Sequence, residues 1–275
     1  MITRENAILL RVRMSNVSTS RTDMKATKEV EENHQLETDT GIYRKNIIRR
    51  KDAAEIFSAR NSVYQTKMRY TLPWTDGNIR ILSSRAFDEF SKELQSAINK
   101  VKEEVEKFLG KYNEVKEASK KRLGDLWIEE EFPTKEIFRK SFDIRVSYFP
   151  VPDKGDFRTS NKEIIAAFNE DMEEQRKIAQ QEIWSRFKEV ISHLHEKLSK
   201  TDTGFKASTV TKINDLVKLA KVLNMDDDKN IEAFRKQVED KLTGFTAEDL
   251  RSDEALRAKK GKETKDLLKK LENYI

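Results

Sequence analysis

The chain has 275 residues, of which 36% are hydrophobic and 37% are charged, and its formal net charge is +5. Long helices that each bury one stripe and expose a wide polar face give this balance. The absence of cysteine excludes disulfides, thiolate catalysis and cysteine-ligated metal sites.

The positive charge is concentrated near the N-terminus. Residues 1–70 hold 14 Lys and Arg against 9 Asp and Glu, whereas the remaining 205 residues hold 40 of each sign. A local basic excess can mark a surface that binds a polyanion. The alternative, an ordinary solvated surface, stays open on this feature alone.

Short strands are indicated at three places. Residues 8–14 alternate apolar and polar side chains with Arg11 and Arg13 on the outer face, which predicts a half-buried strand. Residues 79–82 and 144–149 predict two more, and Pro150 suits an edge strand. The polar segment 18–41 predicts a loop with a short helix over residues 25–34.

Helical periodicity dominates the rest of the chain. Residues 43–68 predict a helix that Pro73 stops, followed by a turn at Asp76-Gly77. Ser84 is then predicted to cap a long helix whose apolar residues follow heptad-like spacing from Phe87 to Tyr112 and beyond. A second long helix is predicted over residues 161–198.

These elements predict a mainly α protein with a minor β component. We expect the two long helices to form an antiparallel hairpin, with the small β-sheet at one end. This domain covers residues 1–200. The segment TDTGF then breaks the helix, and residues 201–275 form a helical C-terminal region with helices at 210–223 and 230–242 and a charged tail.

Motifs for catalysis and metal binding fail on inspection. His193 and His195 lie on different helix faces. Residues 226–230, DDDKN, lack the glycine and glutamate that a calcium loop needs downstream, and predict a helix-capping turn. GKET at 261–264 lacks the first glycine of a P-loop. We therefore expect no enzyme, cofactor or metal.

The basic and aromatic residues of the first 80 positions are the remaining candidates. Phosphate contact requires Lys and Arg on one surface, and single-strand binding adds aromatic rings for base stacking. The predicted DNA-binding residues are Arg11, Arg13, Arg44, Lys45, Arg49, Arg50, Lys51, Lys67, Arg69, Tyr70, Trp74 and Arg80. The alternative for Tyr70 and Trp74 is that they are core residues at a helix end.

Several segments resemble an uncharacterised family of helical proteins from bacteriophages and integrative mobile elements. They are TRENAILLRVRMS, KATKEVEENH, TLPWTDGNIRIL, FLGKYNEV and FPTKEIFRKSFDIRVSYFPVP with DFR, between residue 2 and about residue 200. Members of that family often sit beside genes for replication or recombination proteins, and some beside MoxR-type AAA+ ATPases. The resemblance implies a role in DNA metabolism or an ATPase partner.

The sequence therefore predicts a cytoplasmic, non-enzymatic phage accessory protein that binds the DNA phosphate backbone without sequence specificity, as a homo-oligomer. The N-terminus lacks a signal peptide, and no apolar run is long enough to span a membrane. One alternative is a structural or adaptor protein that self-assembles or docks an AAA+ ATPase. A second alternative is a metal-dependent nuclease.

Overall fold

A computed structural model describes residues 2–75, 78–153, 156, 159, 161–199 and 205–275. Over these residues the protein is mainly α-helical with a minor β component, as predicted. The turn expected at Asp76-Gly77 and most of the TDTGF break lie outside the described residues. Within the described part of the chain, none of the helices has the length and apolar character that crossing a membrane requires.

The strands confirm the alternating patterns of the sequence. They are β1 (Ala7–Met14), β2 (Ser20–Thr22), β3 (Arg44–Asn46), β4 (Thr71–Pro73), β5 (Ile79–Ser83) and β6 (Ile144–Pro150). Four of them form one sheet in the order β4-β5-β1-β6, and β2 pairs with β3 in a separate ribbon. β5 is antiparallel to both neighbours, with Ile81 opposite Leu9 of β1 and Leu72 of β4. β6 is the last strand in the order, as its prolines predicted.

The helices follow the predicted segments closely in the C-terminal half. They are α1 (Met24–His34), α2 (Ala54–Tyr70), α3 (Phe87–Gly110), α4 (Tyr112–Leu123), α5 (Lys135–Lys140), α6 (Lys162–Ser199), α7 (Ala207–Leu223), α8 (Lys229–Leu242), α9 (Ala247–Ser252) and α10 (Glu254–Leu271). Ser83 instead of Ser84 caps the 3₁₀ turn that leads into α3, because the Ser83 hydroxyl accepts from the Arg85 N–H at 3.3 Å.

The chain forms two compact units, each assembled from separate segments. The first unit contains Met1–Arg11, Met68–Phe90 and Ser147–Ile275, and the second contains Val12–Lys67 and Ser91–Val146. The division between these units does not fall near residue 201, where the domain boundary is predicted. The C-terminal region belongs to the first unit because α10 and α7 pack along α6.

The two long helices predicted to form a hairpin belong mainly to different units. The apolar residues of α3 are buried as its spacing requires, but most of α3 belongs to the second unit and α6 belongs to the first. In the first unit α6 is covered by α7 and α10. In the second unit Phe108 of α3 stacks on Phe138 of α5, with ring centroids 4.7 Å apart. The apolar stripes of α3 and α6 are thus buried against shorter helices of their own units.

The helix predicted over residues 43–68 begins later than expected. Residues 44–46 form β3, residues 50–53 form a 3₁₀ turn, and α2 starts at Ala54. Ile47 and Ile48, which supplied the helical spacing, are both fully buried in the connection between β3 and that turn. The basic cluster at 44–51 therefore lies in β3, in the connection after it and in the 3₁₀ turn before α2.

The core of the first unit lies between α6 and the helices that follow it. Phe187 of α6 contacts Phe234 of α8 edge-to-face, with centroids 5.1 Å apart. Trp184 stacks on Tyr274 near the C-terminus at 4.3 Å. Arg186 joins α6 to the C-terminal end of α2 by donating to the backbone carbonyls of residues 68, 69 and 71 at 2.7–3.0 Å. The carbonyls of residues 68 and 69 lie in the last turn of α2, where they lack an intrahelical donor, so Arg186 satisfies them.

Candidate nucleic-acid interface

The twelve predicted DNA-binding residues are divided between the two units. Arg11, Arg69, Tyr70, Trp74 and Arg80 belong to the first unit, and the other seven belong to the second.

Both predicted stacking residues belong to the hydrophobic core. Tyr70 and Trp74 are each 2% exposed. The ring of Tyr70 packs edge-to-face on Phe90 at 5.9 Å, and Trp74 lies in the core with Leu72 and Ile81. Their assignment as base-stacking residues is corrected, since a buried ring offers no face to a nucleobase.

The cations of the first unit are used in local contacts. Arg80 donates to the hydroxyl and the carbonyl of Thr71 at 2.6 and 2.9 Å. The guanidinium of Arg69 lies over the Tyr70 ring at 4.8 Å, and that of Arg11 lies over Phe149 at 5.6 Å. Such contacts hold the strands and the end of α2 in place, and they do not present a cluster of cations.

Lys45 in the second unit is a structural residue, which corrects its prediction as a phosphate ligand. Its side chain is 1% exposed, and its ammonium lies 2.7 Å from Asp23 and 2.9 Å from Glu131. It also donates to the Leu126 carbonyl at 2.6 Å. Lys67 is likewise 5% exposed and lies over the ring of Tyr64 at 4.9 Å. Neither ammonium can reach a bound phosphate.

The remaining predicted cations are on the surface of the second unit. Arg13, Arg44, Arg50 and Lys51 are exposed, and the side chain of Arg49 is 42% exposed. Arg49 donates twice to Asp52, at 2.9 and 3.1 Å. Four of these five cations lie within residues 44–51. This segment is the part of the prediction that the structure retains.

A second basic segment, α4, lies beside residues 44–52. Arg122 donates to the backbone carbonyls of Asn46 and Ile47. At the other end of α4, the charge of Lys111 is close enough to Asp52 to affect its pKa. The hydrogen bonds from Arg49 hold the pKa of Asp52 below its usual value, and the nearby Lys51 and Lys111 lower it further. α4 therefore runs along the segment that carries the predicted cations.

Together the two segments form a strongly positive surface. Residues 44–52 and 111–122 contain ten Lys and Arg against three Asp and Glu. Of the ten, Lys45 is buried and Lys116 is paired with Glu129, which leaves eight. One of those acids, Asp52, is occupied by Arg49. We define the basic surface as the exposed and half-exposed cations Arg44, Arg49, Arg50, Lys51, Lys111, Lys120, Lys121 and Arg122.

The positive charge of α4 does not appear in the net charge of residues 71–275, because positive and negative residues cancel over that range. The run Lys120-Lys121-Arg122 at the C-terminal end of α4 was the signal that a local count would have found. Cations at a helix C-terminus also suit the helix dipole. This run is therefore compatible with the helix that carries it.

The other motifs take structural roles. Asp228 caps α8 by accepting from the backbone N–H groups of Asn230 and Ile231 at 2.7 and 3.1 Å, which confirms the predicted capping turn. Nδ1 of His195 lies 2.9 Å from the hydroxyl of the buried Thr264. The GKET segment lies inside α10. Among the residues that the structure describes, no three His, Asp or Glu side chains are grouped as a metal site requires.

Comparison of the chain with protein-family models, curated proteins and solved structures finds no match. The resemblance to a phage protein family therefore stays a prediction from the sequence. The functional argument depends on the geometry and charge of the basic surface.

Proposed function

We propose that the protein binds DNA non-enzymatically through the phosphate backbone and that the basic surface makes the contacts. The single observation that supports this most is the side-by-side, antiparallel placement of two basic segments, residues 44–52 and α4. Cations that flank one another on two neighbouring elements can follow the phosphates of a strand, and the displaced counterions then drive binding.

The positions of the aromatic residues sharpen this proposal. The two predicted stacking residues are in the core, so the basic surface offers charge without those rings. Binding by charge alone favours the polyanion with the higher linear charge density, which is duplex DNA over a single strand. We therefore expect tighter binding to duplex than to single-stranded DNA of equal length, and no dependence on base sequence.

A role in phage replication or recombination, a cytoplasmic location and an ATPase partner are proposed from the resemblance alone. The alternative of a self-assembling structural protein is favoured by a separate observation on the second unit, the exposed apolar residues of the segment 24–43. That observation is developed below, and it is compatible with DNA binding.

The Arg50→Glu, Lys51→Glu variant tests the basic surface. Both side chains are exposed, whereas Arg49 is left intact because it is paired with Asp52. We expect the variant to bind duplex DNA at least about tenfold more weakly at low salt, since two phosphate contacts become repulsive. Fluorescence anisotropy of a labelled duplex measures the change.

The matched control is Lys262→Glu, Lys265→Glu, which changes the net charge equally on exposed positions of α10. The control is expected to keep nearly all of the affinity. Equal losses in both variants would show that only net charge matters and would contradict the assignment to the basic surface. No binding of the wild-type protein at low salt would contradict the proposal itself.

A further inference from the structure

The segment 24–43 of the second unit exposes an unusual number of apolar side chains. Ile42 is 66% exposed and Met24 is 60% exposed, while Tyr43, Val30 and Leu36 are each more than 40% exposed. α1 itself buries only Ala26 and Thr27. We call residues 24–43 the acidic lobe, because they also contain five Asp and Glu against two Lys.

The acidic lobe is an ordered part of the second unit. The chain returns along α1, where the Tyr43 N–H donates to the Thr27 hydroxyl at 3.0 Å and the Asp39 N–H donates to the Glu31 carboxylate at 3.1 Å. The Asp23 N–H donates to the Tyr43 carbonyl at 3.0 Å. These bonds hold Ile42 and Tyr43 on the surface, and exposed apolar side chains held in this way mark an interaction surface.

The second unit also contains a groove whose net charge is opposite in sign to that of the acidic lobe. It lies between α3, α5 and the start of β6, and its volume is about 630 Å³. Its apolar lining consists of Ile98, Val105, Phe142 and Ile144. Pockets of this volume commonly hold small-molecule ligands, so the groove is large enough to accept a few side chains.

The rim of the groove is positively charged. Arg139 is paired with Glu106, and Arg145 is paired with Asp143. Lys102 and Lys140 also line the groove and are exposed, and they make the excess positive charge of the rim. The groove thus combines an apolar floor with unbalanced cations, whereas the acidic lobe combines exposed apolar side chains with unbalanced anions.

We propose that the acidic lobe of one copy docks into this groove of a second copy. Ile42 and Tyr43 enter the apolar floor, and acidic side chains of the lobe, including Glu32 and Glu37, face Lys102 and Lys140. Ile42 and Tyr43 do not line the groove of their own chain, so the lobe that docks there belongs to a second copy in this proposal. Complementary charge of this kind fixes the register and excludes wrong pairings.

The contact joins two different surfaces, so it is heterologous. Heterologous contacts repeat from copy to copy and produce a closed ring or an open filament. Each added copy would bring its own basic surface, so such an assembly would present several basic surfaces. This consequence does not depend on whether the basic surface binds DNA.

A charge-swap experiment on the full chain tests the proposal. The groove variant is Lys102→Glu, Lys140→Glu, and the lobe variant is Glu32→Lys, Glu37→Lys. Each variant alone places like charges across the contact, so we expect self-association at least about tenfold weaker than in the wild type. Sedimentation velocity over about a hundredfold range of protein concentration, without DNA, measures it.

Mixing the two variants provides the decisive result. In the mixture the acidic groove of one variant meets the basic lobe of the other, and the remaining contacts are also complementary. We expect the mixture to assemble as the wild type does, which a folding defect in either variant would prevent. A wild-type protein that stays monomeric at all concentrations, variants that associate as well as the wild type, or a mixture that does not recover would each overturn the proposal.

The Arg50→Glu, Lys51→Glu variant separates this contact from the basic surface. Those residues do not line the groove. Self-association of this variant is expected to equal that of the wild type. A loss of association in this variant would place the acidic lobe on the basic surface and overturn the assignment to the groove.

Discussion

Replacement of Lys45 with methionine is expected to lower the free energy of unfolding by about 3–5 kcal/mol. Methionine fills much of the space but leaves Asp23 and Glu131 without the cation that they face at 2.7 and 2.9 Å. The side chain of Asp23 is 5% exposed, so water cannot replace the lost partner. Urea denaturation at neutral pH measures the loss. The exposed Lys51→Met is the control, and it is expected to change stability by less than about 0.5 kcal/mol.

The effect of Lys45 depends on pH in a defined direction. The hydrogen bond from Lys45 holds the pKa of Asp23 below its usual value of 3.8. This contribution to stability is complete above the unfolded pKa and is lost as pH falls through the lower folded pKa. The wild type should therefore lose its advantage over Lys45→Met in acid, below about pH 4. An equal difference in stability at neutral and acid pH would contradict this account.

The stabilising contribution of Lys45 also has an upper pH limit. Burial opposes its charged form, but the bonds to Asp23 and Glu131 outweigh burial and raise its pKa above 10.5. A raised folded pKa stabilises the protein fully below the unfolded pKa, and the contribution is lost as pH rises through the folded value. The contribution of this cluster should therefore persist across the neutral range and disappear only in strong alkali.

Replacement of Phe138 with alanine is expected to lower the free energy of unfolding by about 3–5 kcal/mol. Phe138 is fully buried. Its ring stacks on Phe108 at 4.7 Å and contacts Phe142 at 5.0 Å and Tyr112 at 5.6 Å. It is the buried residue of α5, a helix too short to be stable without this contact.

Hydrogen exchange locates the effect of the Phe138 change. Protection is expected to fall first in α5, while α7 and α8 of the first unit keep theirs until global unfolding. The neighbouring Ile137 is 55% exposed, so Ile137→Ala is the control and is expected to change stability little. A comparable loss in both variants would contradict the role of the aromatic cluster.

The sequence predicts an element correctly where its apolar pattern fits only one type of secondary structure. Alternation gave β1 and β6, and long apolar spacing gave α6 and the burial of α3. Residues 43–51 were assigned to a helix because Ile47 and Ile48 fit helical spacing, but so short a run also fits a buried turn after a strand. An apolar stripe predicts that a helix is covered, but it does not predict which elements cover it. The contacts of α3 with α5 and of α6 with α7 and α10 therefore do not follow from the stripes.

The candidate site was predicted in part. The exposed cations at 44–51 follow from local charge, and those of α4 would follow from a finer count. The burial of Lys45 depends on Asp23 and Glu131, which are distant in sequence, so local composition could not distinguish it from Arg44. Tyr70 packs on Phe90, and Trp74 lies in the core with Leu72 and Ile81. The basic residues that neighbour them in the sequence do not predict this burial.

The salt dependence of duplex DNA binding tests the basic surface most directly. The variant Arg50→Gln, Lys51→Gln, Lys121→Gln removes three exposed cations from both of its segments. The slope of log Kobs against log salt should become smaller in magnitude by about 2–3. The control variant, Lys259→Gln, Lys262→Gln, Lys265→Gln on α10, should keep the wild-type slope. Identical slopes for all three proteins would contradict the claim that the basic surface holds the DNA backbone.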